Sequence, residues 1–420
     1  MSTHAQTQTV LHNFVGGLTD GENPSGLVID GSGNLYGTTP SGGTYGGGIA
    51  FELHRATDGT WKEKVLHNFG SGTDGLEPVA TLLLDAKGNL YGTTLEGGGG
   101  SCAVSSSGPV VGCGIVFELI HSADGSWPEK ILHAFTGGTD GIWPRSNVIF
   151  DAVGNLYGTA SLGGSHANCS LYAGGSLVGC GTVFELVHGK NGTWTGKILH
   201  NFGSGFDGTY PYGGMVFDNA GNLYGTASYG GAQGCGGALH TPSCGLVFEL
   251  VPQTATGWKE KVLPNLGYTL LSGPTIDSSG NLYISANSGG SCGVDYAFYC
   301  GMVFEVLPNQ SQSGWSAQEI LNSGHDSSPS PVLVDETGNV YGTVQRTSGG
   351  LGFKEPDMVY QLISAANNEW TNITLYQFPN NGNKGALPSG TLARDAVGKL
   401  YGTTFVGGTA DKGVVYQVVP

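Results

Sequence analysis

Apolar and polar positions alternate along most of this chain in short runs, broken by Gly, Asp and Asn. From residue 25 the runs are 25–29, 34–39, 49–54 and 61–69. Each is 5–9 residues long and enriched in β-branched and aromatic side chains. Period-two alternation bounded by turn residues is the mark of a half-buried strand. The pattern therefore predicts four strands in the first stretch.

The same stretch then recurs. The motif D-x-x-G-N-L-Y-G-T opens at Asp30, Asp85, Asp151, Asp218, Asp277, Asp335 and Asp395, with small variations and steps of 55–67 residues. A Gly-Gly pair follows each copy, then a strand reading G-x-V-F-E-L or close to it, then a strand opened by Trp in six of the repeats. Four antiparallel strands at such a period form one blade of a β-propeller. The expected fold is all-β: a seven-bladed β-propeller filling residues 1–420 as one domain. Its blades span approximately 25–69, 79–135, 146–202, 212–266, 272–321, 329–378 and 388–420 plus 8–14. The last repeat lacks a fourth strand, and Thr9–Phe14 matches Val65–Phe69. The N-terminal strand is thus expected to complete blade seven (3+1) and close the ring, removing an open sheet edge.

Composition agrees. Glycine supplies 76 of 420 residues and charged residues only 11%. Collagen would need Gly at every third place, and disorder would need more charge and fewer apolar residues. At least five glycines per blade are punctuation of the repeat. The net charge of −16 and the lack of basic stripes exclude a nucleic-acid partner. No apolar run is long enough for a membrane-spanning helix. A monomer is expected.

Eight cysteines fall into four local pairs: Cys102/Cys113, Cys169/Cys180, Cys235/Cys244 and Cys292/Cys300. Their spacing lacks the C-x2-C knots of zinc sites and predicts four disulfides. Disulfides imply an oxidising compartment. The first six residues have neither a basic nor an apolar signal region, so the expectation is a secreted, periplasmic or cell-surface protein whose signal peptide is absent from this sequence.

The repeated residues have structural explanations. The Asp of D-x-x-G-N can bond turn amides while Gly takes positive φ, and a calcium site would need more carboxylates. No metal and no cofactor are expected. The seven motif tyrosines are expected to pack blade on blade. His12, His67, His133 and His200 lie in different outer strands and are expected to be edge hydrogen-bonding residues.

Function is expected where the repeat is broken on the rim carrying all four cysteine pairs, because loops on a rigid scaffold carry sites. Candidate catalytic groups there are Glu96, His166, His240, Asp295, Glu355 and Asp357. Candidate substrate-binding groups are Trp143, Arg145, Tyr210, Tyr212, Tyr229, Tyr296, Arg346 and Lys384. Aromatic rings stack on pyranose faces, and charged groups bond hydroxyls or uronates. A glycoside hydrolase needs paired carboxylates, and a lyase needs a base with a cation. The expected function is therefore a carbohydrate-active propeller, hydrolase or polysaccharide lyase. The alternative is a non-catalytic propeller binding glycan or protein at the same rim.

The combination of D-x-x-G-N-L-Y-G-T-T, Gly-Gly and G-x-V-F-E-L resembles the GloVer-type (choice-of-anchor) tandem repeat proteins. That resemblance implies a secreted or surface bacterial protein, with no catalytic residues to transfer. The G-N-L-Y strand is also similar to NHL and SMP-30-like propellers, whose liganding rim carboxylates are not evident here.

Overall fold

The computed structural model describes residues 7–100, 102, 112–166, 169, 179–231, 245–253, 257–263, 266–286, 288–289, 300–309, 314–325, 327–346, 356–365, 369–379 and 382–420. These residues form seven antiparallel sheets, each four strands deep, arranged as a seven-bladed β-propeller. Blade one runs outward through Leu27–Ile29, Leu35–Thr39, Ile49–Arg55 and Trp61–Asn68. In blade six the innermost strand is in two pieces, Ser327–Pro329 and Leu333–Val334. Among the described residues there is no helix, hence none long and apolar enough to cross a membrane.

The motif aspartate organises each inner hairpin. Asp151 Oδ1 accepts the amides of Val153 and Asn155 at 3.0 and 2.8 Å. Its Oδ2 accepts Asn155 Nδ2 at 2.8 Å and the Tyr157 hydroxyl at 3.2 Å. The same tyrosine–aspartate bond closes every blade, from Tyr36 to Tyr401. Gly154 sits at φ 91° in this turn, a conformation that favours glycine.

The core lies in the seams between blades. Trp258 from blade four packs on Tyr157 of blade three with ring centroids 6.1 Å apart, and Trp61 packs on Tyr401 across the closing seam. The motif tyrosines are thus blade-to-blade packing residues as well as hydrogen-bond donors. A second row pairs the Phe ending one outer strand with an aromatic of the next blade: Phe14 with Phe51, Phe69 with Phe117, Phe135 with Phe184, Phe202 with Phe248 and Phe378 with Tyr416.

The glycine of Y-G-T makes room for that row. A Cβ on Gly158 would fall 2.4 Å from the Phe184 ring, so no side chain fits beneath it. The following Thr hydroxyl bonds across the seam: Thr93 to the Ser146 carbonyl and Thr226 to that of Ser272.

The ring closes through the N-terminal strand. Gln8–Asn13 pairs antiparallel with Val414–Val418 and supplies the outer strand of blade seven. Asn23 then donates its amide to the Lys412 carbonyl and its side chain to that of Phe405.

Two outcomes test this architecture. Asp151→Ala leaves the Val153 amide and both Asn155 donors without their acceptor, while the Tyr157 hydroxyl keeps Glu185, and is expected to lower unfolding free energy by about 2–4 kcal/mol in chemical denaturation, with Asp151→Asn showing part of the loss. Removing residues 1–13 uncovers the edge of Val414–Val418. The shortened chain is expected to melt earlier and to self-associate in light scattering, whereas a monomer of unchanged Tm would contradict the closure described.

Candidate functional site

The rim opposite the aspartate hairpins is built on a strained position that recurs in five of the seven blades. The residue before the loop proline has φ near +57° in five blades: Asn23 (61°), Glu77 (58°), Trp143 (57°), Tyr210 (56°) and Leu387 (56°). That conformation is costly for a side-chain-bearing residue and persists only where its surroundings hold it.

The hold is a pair of backbone bonds. The Trp143 amide donates to the Cys113 carbonyl and its carbonyl accepts from Ser161; the Tyr210 amide donates to the Cys180 carbonyl and its carbonyl accepts from Ser228. Cys113 and Cys180 are the inner ends of the Cys102–Cys113 and Cys169–Cys180 disulfides. Each bridge therefore anchors the loop that clamps a rim aromatic of the following blade. Cys300 is also disulfide-bonded. Cys235, Cys244 and Cys292 lie outside the described residues.

In blade seven a side chain replaces the clamping carbonyl. Asp357 accepts the Leu387 amide at 2.7 Å through Oδ2 and the Arg346 amide at 2.8 Å through Oδ1. Its carboxylate serves as a seam clamp.

The innermost strands surround a cavity of about 530 Å3 at the mouth of the central channel, with walls from all seven blades. Asn23, Arg145, Asn147, Tyr212, Leu271 and Phe405 face it. Among the described residues lining it, Arg145 is the only charged one and none is a carboxylate. Arg145 lies over the Tyr212 ring with Cζ 4.4 Å from the centroid, and Nη1 donates to the Tyr212 hydroxyl at 2.7 Å. Cation–π stacking and the hydrogen bond hold the guanidinium without neutralising it.

Beside this pair stand Tyr210 and Tyr229, with ring centroids 5.9 Å apart and edge to face. Burial pushes the Tyr210 phenol up to about 12, with Tyr229 and Tyr212 adding to it; burial and then Tyr212 raise Tyr229 as well. Arg145, Tyr210, Tyr212 and Tyr229 thus form one group at blades three and four.

The remaining candidates stand apart. Glu96 pairs with Leu76 at the rim of blade two. Its carboxyl is raised by burial and then by Glu77, a neighbour that sequence reasoning missed and that the strained pre-proline position marks. His166 is half-buried near the Cys180 loop, its Nδ1 enclosed without a hydrogen-bond partner. Lys384 is exposed, with its carbonyl accepting from Gln8. His240, Asp295, Tyr296 and Glu355 lie outside the described residues.

The outer seams gather a second set of titratable groups. Near His12, His67 and His200 lie Asp20, Asp74 and Asp207, and then Glu63, Glu129 and Glu260 from the next blade. Burial pushes Glu63 and Glu260 up to about 7 and Glu129 to about 8, with the adjacent Asp carboxylates adding to the rise. Burial would also raise Asp20 and Asp74, but the neighbouring His12 and His67 imidazoles and the backbone amides that donate to the two carboxylates hold both below the usual carboxylate range.

Residues 1–173 match the family model of the Gloeobacter/Verrucomicrobia repeat, in agreement with the tandem-repeat motifs. No curated protein matches the chain significantly. Solved structures share the propeller fold. One is PorZ, a surface component of the type-IX secretion system of Porphyromonas gingivalis, at 16% identity and TM-score 0.53. The alignment covers 93% of this chain and 46% of PorZ, so the chain spans about half of PorZ's length. Another is a family PL25 polysaccharide lyase, an ulvan lyase bound to -[GlcA(1-4)Rha3S]-, at 13% identity and TM-score 0.55, covering 98% of this chain and 95% of the lyase. A second structure of a PL25 ulvan lyase aligns at 12% identity and TM-score 0.54, with the same coverages. At these identities the likeness shows the fold alone.

The clamp has a direct test. Replacing Cys169 and Cys180 by Ser is expected to cost about 2–3 kcal/mol and to speed hydrogen exchange at the Tyr210 amide, with the β content of circular dichroism retained. Unchanged exchange at Tyr210 would show that the disulfide does not hold the rim.

Proposed function

We propose that this chain is an extracellular propeller that takes uronate-bearing polysaccharide at the mouth of its central channel. The observation carrying this reading is Arg145: the one charged group among the described lining residues, half-buried, stacked on a tyrosine and facing no carboxylate there. An acidic protein with a cation and no carboxylate among the described residues of its central cavity is suited to an anionic ligand. The disulfides support an extracellular setting. The glucuronate-containing ligand of the ulvan lyase structure is of the same class.

The chemistry these groups suit is β-elimination. Arg145 neutralises the uronate carboxylate. In its phenolate form, with Arg145 Nη1 donating to it, the Tyr212 oxygen takes the C5 proton, the electron pair forms the C4–C5 double bond, the C4–O bond breaks, and the proton now on Tyr212 passes to the departing oxygen. Hydrolysis would need two carboxylates about 5–9.5 Å apart, and the described lining supplies none. Binding without cleavage is the second reading, favoured by Tyr212 being the one phenol among the described residues lining the cavity.

Arg145→Ala is expected to weaken binding of an oligoglucuronate by roughly 10–100-fold, the worth of a charge-assisted contact, with little effect on the carboxyl-reduced neutral oligosaccharide. Tyr212→Phe is expected to keep most of the affinity and abolish the ultraviolet absorbance of unsaturated product. Equal binding of charged and neutral oligosaccharides would overturn the site. Uronate binding without product from the wild type would leave the binding reading and remove the lyase.

A further inference from the structure

Three outer seams repeat one donor set. Between blades seven and one, His12 Nε2 lies 3.8 Å from Asp20 Oδ1 and 3.6 Å from Glu63 Oε2. Between three and four, His200 Nε2 lies 3.3 Å from Asp207 Oδ2 and 3.7 Å from Glu260 Oε2. Between one and two, His67 Nε2 is 3.0 Å from Asp74 Oδ2 and 4.0 Å from Glu129 Oε2. In all three, one donor atom from each residue lies within 4.8 Å of the other two. Ligands at about 2.1 Å from one zinc-sized ion stand up to roughly 4 Å apart, so a small contraction would gather each set on one centre.

A separate observation points the same way. The Nε2 atoms of His12 and His200, and the Oε1 atoms of Glu63, Glu129 and Glu260, are closed off from solvent and have no hydrogen-bond partner. Buried polar atoms are normally satisfied. Here the unsatisfied ones recur at equivalent places in three seams. The aspartates are already oriented: the Val15 and Gly21 amides donate to Asp20, and the Gly203 amide to Asp207. Backbone donors that aim a carboxylate are a usual support for a metal ligand.

The seam between blades two and three supplies an internal comparison. His133 Nε2 and Asp140 Oδ2 are present at 3.5 Å. The residue in register with Leu186 is Gly196, where Glu63 faces Leu53, Glu129 faces Leu119 and Glu260 faces Leu250. A Cβ on Gly196 would stand 3.3 Å from the His133 ring. The third donor is missing from a seam that is otherwise complete.

We propose that His12/Asp20/Glu63, His67/Asp74/Glu129 and His200/Asp207/Glu260 each bind one divalent transition ion of the zinc class, with water completing the coordination. One imidazole and two carboxylates suit such an ion. Each ion would tie the outer strand of one blade to that of the next. At the closing seam it would fasten the N-terminal strand to blade one.

The test uses the full chain, stripped with chelator and then equilibrated with Zn2+ or Co2+. The expected result is three bound equivalents, Co2+ absorbance of low-symmetry sites, and a rise in Tm with metal. Glu63→Gln, Glu129→Gln and Glu260→Gln should each remove one equivalent, and Gly196→Glu should add a fourth. His12→Gln, His67→Gln and His200→Gln form a second series should any glutamine variant fail to fold by circular dichroism. Stoichiometry unchanged across both series, or no retained metal in the wild type, would overturn the proposal.

Discussion

The structure depends on the packing of one small sheet's face against the next. A four-stranded blade cannot bury its own apolar faces, so its stability comes from its seams. The phenylalanine row from Phe14–Phe51 to Phe378–Tyr416 fills those seams near the rim, and the Trp–Tyr row fills them near the aspartate hairpins. Glycine at Y-G-T is the condition for the first row, because a ring lies where its side chain would be. Blade five breaks the condition and packs less tightly there. Ile284 stands in the glycine's place opposite Phe304, and Phe304 keeps 8% exposure where Phe51, Phe117 and Phe248 have none.

Seam packing also explains why so few side chains are left for chemistry. The motif aspartates are consumed by their hairpins, Glu118, Glu185 and Glu305 accept from tyrosine hydroxyls, and Asp357 clamps two amides. The central channel is lined mainly by small and apolar residues, against which Arg145 and Tyr212 stand out. The rim around them is anchored where the disulfide-bonded Cys113 and Cys180 accept the amides of the strained Trp143 and Tyr210.

The fold was legible because its cause is periodic. Seven aspartate turns and seven tyrosines define the blades, and the strand expected at 34–39 is found at Leu35–Thr39. The match of Thr9–Phe14 to Val65–Phe69 anticipated the closure. Convergence at the rim was only partly legible. Arg145 and Tyr212 occupy the same repeat position in adjacent blades, so their meeting follows from the fold, whereas Asp357 looks like a free carboxylate until the amides it accepts are seen. The seam triads were hidden for another reason. Their ligands lie seven or eight and then 43–55 residues apart, as in His12, Asp20 and Glu63. Each histidine, read alone, is an edge residue, and only the stacking of consecutive outer strands supplies the glutamate.

The central claim is that the channel mouth, through Arg145, is where an anionic glycan binds. Its most direct test is a difference electron density map from crystals soaked with an oligoglucuronate. The account predicts sugar density in the channel mouth, with a uronate carboxylate against the Arg145 guanidinium and a ring on Tyr212. Density on the outer seams or along the blade faces, with the channel mouth holding only solvent, would contradict it.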